Sequence, residues 1–311
     1  MTSKHLPAAF FGMVLGLSGL GQCWRVAHHL WALPAIIGEI ILAFAAMVWG
    51  ILLIAYIAQV ILSPGQVKQE FLHPVQGGTP ALLGIATLLI SLAVVPWSHA
   101  VALVLAVIGI GWHLGFSLWH TGIMWQGGRT QQDTLPTLYL PGVAGNFTSA
   151  AALGTLGYGQ WGWLFLGTGV FSWLAIESPI LLRLWDSHPI PPMQRPLLGI
   201  QFAPPVVCLM AVMILMPGEV TPWLLMLWGY GLFQLLLGMR LYRWLGQHAF
   251  TPAWWAYSFG VVAACLGCLK LALAGISPAH YLSIPVFVAT NLFIGYFALH
   301  TMYLFIARRL R

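Results

Sequence analysis

Apolar residues run along this chain in stretches of about 20 or more, the length that crosses a bilayer as a helix, and short clusters of proline, glycine and polar residues separate them. The pattern predicts ten helices, near 6–30, 34–62, 79–96, 98–125, 138–158, 160–184, 196–216, 222–248, 252–275 and 280–307. Turn chemistry marks the breaks: Pro34, Ser63-Pro64-Gly65, Pro96, Gly127-Gly128, Gly157 to Gly159, the run Ser187–Pro192, Pro217-Gly218 and Ser277-Pro278. Apolar runs of this length do not alternate as barrel strands do. The expected fold class is therefore all-α integral membrane, a single transmembrane domain over residues 1–311.

Odd and even segments differ in kind. The odd ones are rich in small residues and carry internal proline or glycine, as in "FFGMVLGLSGLG", "LYLPGVAGNFTSAAALGTLG", "GIQFAPPVVCLM" and "SFGVVAACLG". The even ones carry bulky and aromatic residues, as in "PWLLMLWGYGLFQLLLGMRLYRW". Small residues permit close backbone approach, and proline frees a carbonyl that then needs a partner. The economical arrangement is five helical hairpins, with the odd helices as an inner ring enclosed by the even ones. The third segment, "ALLGIATLLISLAVV", fits that scheme least well. In the ninth, Ala256, Phe259, Ala263 and Gly267 share one helix face, so a single large ring stands in a stripe of small residues.

Composition supports the same class. The chain is 60% hydrophobic and 6% charged with a mean hydropathy of +0.88, against about 25% charged in an ordinary soluble domain. No cleavable signal peptide is expected, because the run from Leu6 lacks a small-x-small cleavage site before Arg25. Charge then sets orientation. Lys4, Lys68, Arg129, Arg183, Arg195, Arg240, Arg243, Arg308, Arg309 and Arg311 fall on the side of both termini, and Arg25 and Lys270 on the other. Ten against two places both termini in the cytoplasm by the positive-inside rule.

Candidate catalytic groups are scarce. Glu39 and Glu177 are the carboxylates expected within apolar segments, Glu39 in the first turn of its helix and Glu177 pairing or snorkelling beside Arg183. His113 and His120 share a helix face without an obvious third ligand, which favours hydrogen-bonded packing over a metal. Cys265 and Cys268 form a CxxC inside an apolar helix and read, with Cys23 and Cys208, as buried free thiols. No nucleotide motif appears, and no cofactor, metal or nucleic-acid partner is expected. Arg25 and Lys270 support two readings: an outer anion vestibule, or snorkelling to lipid phosphates.

Several motifs resemble those of the tellurite-resistance and C4-dicarboxylate transporter family, which also contains the plant guard-cell slow anion channels. They are "FFGMVLGL" at Phe10–Leu17, "HPV" at His73–Val75, "YLPGVAGNFTSA" at Tyr139–Ala150, "GIQFAPPVVC" at Gly199–Cys208, "WGYGLFQLLLGMRLYRW" at Trp228–Trp244 and "WWAYSFG" at Trp254–Gly260. The resemblance implies five hairpins in quasi-fivefold symmetry about a central pore, assembly as a homotrimer, and a bacterial inner-membrane location. It also implies a phenylalanine gate, which falls on Phe259; Gly260 follows it where the plant channels have proline. Lining candidates are then Phe11, Gly12, Gly16, Pro141, Gly145, Pro204, Ala256, Gly260, Ala263 and Gly267. The expected activity is passage of small monovalent anions. A proton-coupled carrier of malate or succinate is the alternative, with tellurite resistance as an associated phenotype. An enzyme is disfavoured by the missing catalytic set.

Overall fold

The computed structural model describes residues 6–307. Lys4, Arg308, Arg309 and Arg311, part of the charge asymmetry, lie outside the described residues. Among the described residues every regular element is helical. Twelve α-helices follow in order: α1 (Gly12–Trp31), α2 (Ala35–Leu62), α3 (Pro64–Phe71), α4 (Ala81–Val94), α5 (His99–Trp125), α6 (Gly145–Thr155), α7 (Gly159–Leu184), α8 (Ala203–Leu215), α9 (Pro222–Arg240), α10 (Tyr242–Leu245), α11 (Ala256–Leu273) and α12 (Ser277–Ile306).

Seven helical stretches among the described residues are long and apolar enough to cross a membrane: Ala35–Leu62, His99–Trp125, Gly159–Leu184, Pro192–Leu215, Pro222–Arg240, Pro252–Leu273 and Ser277–Ile306. Three of the ten predicted segments fall short of that standard, for a physical reason. Helix α1 carries Gln22, Arg25, His28 and His29, while α4 and α6 have only 14 and 11 residues. All three are largely buried in protein, so lipid does not dictate their length or polarity.

Helices pack as consecutive pairs: α1 with α2, α4 with α5, α6 with α7, α8 with α9 and α11 with α12. The first member of each pair also touches its counterparts in a closed circuit, α1 to α4, α4 to α6, α6 to α8, α8 to α11 and α11 back to α1. The second members carry the exposed apolar side chains, among them Ile54, Leu118, Phe171, Met226 and Leu292. Helix α4, the sequence exception, is buried from Ala81 to Leu88 all the same.

Non-α turns feed four of the buried helices. A 3-10 turn at Ala8–Phe11 precedes α1, a π turn at Leu140–Ala144 precedes α6, a 3-10 run at Pro192–Phe202 precedes α8, and another at Pro252–Trp255 precedes α11. Prolines at 141, 192, 196 and 252 withhold the amide that a regular ladder would need. The circuit closes tightly where α1 meets α11: a Cβ on Gly19 would lie 2.1 Å from Val262 Cγ2. At the hairpin turns Gly157 and Gly275 adopt φ of 90° and 81°, a region closed to most side chains.

The short helix α3, absent from the sequence expectation, ties down the start of the chain. Glu70 accepts from Ala8 N at 2.6 Å and from Tyr56 Oη at 3.0 Å, while Gln59 Oε1 accepts from Leu6 N at 2.6 Å. Hydrogen bonds to a charged partner are worth about 1.5–3 kcal/mol each. These fix the 3-10 turn that presents Ala9 and Gly12 to the interior.

Candidate functional site

At the end where the buried helices begin, their first turns or the segments leading into them converge on one cavity. It is lined by Ala9, Gly12 and Leu15 from the start of α1, and by Thr79 and Leu82 around the start of α4. Tyr139, Leu140, Val143 and Ala144 come from the approach to α6. The remaining wall is Leu197, Ile200, Ala203, Pro204 and Val207 before and on α8, and Pro252, Ala253, Trp255, Ala256 and Phe259 before and on α11. The free space is about 40 Å³. Phe259 is only 8% exposed.

Two properties follow from this construction. Among the described residues no charged side chain lines the cavity, and its two hydroxyls donate outward: Thr79 Oγ1 to Gln76 O at 2.8 Å, and Tyr139 Oη to Glu177 Oε2 at 2.5 Å. The positive ends of the helix dipoles, each equivalent to about half an elementary charge, face the same space. A small anion entering it would meet favourable partial charge without a strong ligand to hold it.

The small-residue candidates divide. Gly12, Pro204 and Ala256 line the cavity together with Phe259. Others sit where helices press on each other. A Cβ on Gly16 would lie 2.7 Å from Ser258 Cβ, on Gly145 2.0 Å from His113 Nδ1, on Gly260 2.8 Å from Phe202 Cβ and on Gly267 2.7 Å from Leu209 Cδ2. Phe11 packs edge-to-face on Tyr56 with ring centroids 6.1 Å apart, and Pro141 Cδ approaches Gly78. Ala263 is buried on α11 outside the cavity lining. Small residues in these helices thus serve close packing as well as the cavity wall.

Charged and polar groups depart further from expectation. Arg25 is not a free cation: its Nε and Nη2 grip Glu39 at 2.7 and 2.8 Å, and Nη2 also donates to Ala93 O at 3.0 Å. Glu39 lies beyond the first turn of α2, so this fork, joined by Trp97 Nε1 at 3.3 Å, satisfies it in place of the helix dipole. Lys270 is half-buried on α11. Glu177 does not pair with Arg183. It takes four neutral donors, Tyr139 Oη, Trp173 Nε1 at 2.8 Å, Gln201 Nε2 at 2.9 Å and Tyr230 Oη at 3.3 Å, and so pins the cavity-lining Tyr139 between α7, α9 and the run before α8. Arg183 instead donates to His188 O at 2.7 Å and lies 4.0 Å from Asp186.

The hydrogen bonds expected of the histidines are missing at three of their four ring nitrogens among the described residues. Both ring nitrogens of His113 and Nδ1 of His120 are buried without a partner; His113 abuts Gly145, and His120 stacks on Phe116. Among the described residues no group of three or more His, Cys, Asp or Glu side chains is placed to hold a metal. The four cysteines are buried free thiols, as their apolar surroundings predict. Tyr139, Leu82, Val143 and Val207 were not singled out as lining residues by sequence. Tyr139 did stand in the quoted motif "YLPG", but nothing in its spacing pointed to Glu177.

Residues 5–302 match the SLAC1 family, described as voltage-dependent anion channel. The chain belongs to that family. It is 34% identical over 306 residues to the tellurite resistance protein TehA homolog of Haemophilus influenzae, covering 96% of this chain and 90% of that protein. It is also 22% identical over 332 residues to the S-type anion channel SLAH2 of Arabidopsis thaliana, covering 98% of this chain and 60% of that one. A SLAC1-family chain with these apolar helices is a multi-pass membrane protein that transports anions and is not an enzyme.

Proposed function

We propose that this protein is a passive, channel-like conductor of small monovalent anions, built as ten spans in five hairpins, with the cavity as the inner part of a central pore and Phe259 as its gate. The observation that carries this reading is the cavity itself, where the first turns of α1, α4, α8 and α11 and the turn leading into α6 converge beneath a phenylalanine with no charged side chain among the described residues. The closed circuit of contacts among those helices supports a quasi-fivefold pore. An aromatic ring in a narrow apolar lumen closes it sterically and by excluding water. Gly12 and Ala256, which line the cavity with Phe259, add little side-chain bulk to its wall.

Selection among anions then rests on dehydration cost and helix dipoles, which suits weakly hydrated monovalent ions. A dicarboxylate carrier would be expected to offer cationic side chains to its substrate, and among the described residues none lines the cavity. Assembly as a homotrimer, an inner-membrane location and cytoplasmic termini complete the proposal, the last resting on the ten-to-two asymmetry of basic residues.

Reconstitution of wild type and Phe259→Ala in planar bilayers tests it, with reversal potentials recorded for chloride, nitrate and malate. The substitution is expected to raise anion conductance by about tenfold or more, since a hydrophobic constriction is the barrier removed, with single-channel steps and little malate permeation. Equal currents from the two proteins would remove Phe259 as the gate. Saturating flux with counterflow would establish a carrier.

A further inference from the structure

Outside the helix circuit, α2 and α5 stand apart and α3 lies beside the gap between them. The groove they leave has about 760 Å³ of free volume and is lined by Val60, Val67, Phe71, Trp112, Phe116 and Trp119 among others. Its floor on α5 includes Gly111 and Gly115, where an added Cβ would meet nothing within 4 Å. Trp119 and Val60 remain 39% and 43% exposed. This is open apolar surface on the outer wall, not part of the cavity beneath Phe259.

Charge is segregated around it. The acid of α3, Glu70, is turned inward to Ala8 and Tyr56, while Lys68 lines the groove and is exposed. No acidic side chain lines the groove. The nearby Arg129 is already occupied by the carbonyls of Pro74 and Asp133. From Gly111 to Ile123, α5 rises about 18 Å at 1.5 Å per residue, close to the ~15 Å depth of one leaflet of the hydrocarbon core. The groove therefore has a cation and an apolar slot one leaflet long.

We propose that this groove binds an anionic glycerophospholipid, with an acyl chain against Gly111, Gly115 and the aromatic residues and the headgroup phosphate on Lys68. A phosphate supplies the charge that Lys68 lacks, and an acyl chain needs no hydrogen-bonding partner, which this lining does not offer. The site sits on a hairpin whose inner member, α4, carries Leu82 into the cavity. Lipid occupancy therefore bears on the packing of one wall of the transport path.

Native mass spectrometry of the full chain, extracted from vesicles of phosphatidylglycerol or phosphatidylcholine, tests this with two variants. Lys68→Glu removes the phosphate partner and Gly115→Leu fills the slot, and both positions have room for the change. Wild type is expected to retain phosphatidylglycerol in preference to phosphatidylcholine. Lys68→Glu should weaken that retention roughly fivefold or more, the scale of one basic residue near anionic lipid, and Gly115→Leu should abolish it. Equal retention of both lipids by wild type and Lys68→Glu would overturn the proposal. So would a Gly115→Leu protein that keeps its lipid but changes its oligomeric mass, because the groove would then hold a second copy of this chain.

Discussion

Helices α5 and α6 lie against each other and obey different rules. Helix α5 runs unbroken for 27 residues, is capped by Ser98 accepting from Val101 N at 3.3 Å, and shows Leu118 and Val107 to the outside. At 1.5 Å per residue it is about 40 Å long, enough to cross the bilayer alone. Helix α6 has 11 residues, enters through a π turn containing Pro141, and is buried from Gly145 to Ala152. Irregular backbone at membrane depth survives where protein satisfies it. Here Asn146 Nδ2 donates to Gly142 O and Thr148 Oγ1 to Ala144 O, both at 2.8 Å. One helix is solvated by lipid and the other by its neighbours, and it is the irregular turn leading into the second that shapes the cavity through Val143 and Ala144.

The sharpest way to break this comparison is to add the same methyl group on each side of it. Gly145→Ala places a Cβ 2.0 Å from His113 Nδ1, whereas Gly111→Ala meets nothing within 4 Å. Overpacking of a filled interior costs about 1–3 kcal/mol, so Gly145→Ala should lower the thermal midpoint in detergent by several degrees. Gly111→Ala should leave it unchanged or raise it slightly, since alanine is the better helix former. Equal melting of the two would mean that α6 is not held by close approach. A smaller effect is expected at the α1–α2 hairpin. Arg25→Gln strips Glu39 of its fork, whose side chains are 17% and 27% exposed. Breaking a fully buried pair costs ~3–5 kcal/mol, and partial solvation should reduce this to about 1–2 kcal/mol. The double variant Arg25→Gln, Glu39→Gln should recover most of that loss, and a double variant as unstable as the single one would exclude charge imbalance as the cause.

The same division explains what could be read from sequence. Lipid-facing helices announce themselves, because their solvent demands long apolar runs: the expected 34–62 and 98–125 are Ala35–Leu62 and His99–Trp125 in the structure. The buried helices were visible through proline and small residues, but not their 3-10 and π entrances, since proline marks a lost amide and not the turn that replaces it. Phe259 stood out as a ring among small residues. Which small residues face the cavity was illegible, because a glycine that yields to a neighbouring helix and one that yields to a lumen look alike. Apart from Trp173, the partners of Arg25 and Glu177 lay between 14 and 68 residues away, across helix contacts that no local spacing encodes.

A third region is solvated by water, and it gives the smallest effect. Between α5 and α6, Asp133 accepts from Thr130 N at 3.1 Å and Thr130 Oγ1 at 2.7 Å, closing a capping box on the turn Gln131–Asp133. Desolvation works to raise the carboxyl, but the Thr130 hydrogen bonds and the Arg129 charge outweigh it and hold it below its ordinary value. A carboxyl depressed in the folded state adds stability that is complete above its unfolded value of about 3.9. That contribution is lost as the pH falls through the folded value. Asp133→Asn should therefore lower the thermal midpoint slightly near pH 7, and its deficit against wild type should shrink as the pH falls below the unfolded value through the depressed folded one. A deficit that persists in acid would place the role of Asp133 in packing, and the loop would then resemble the buried helices more than the water that surrounds it.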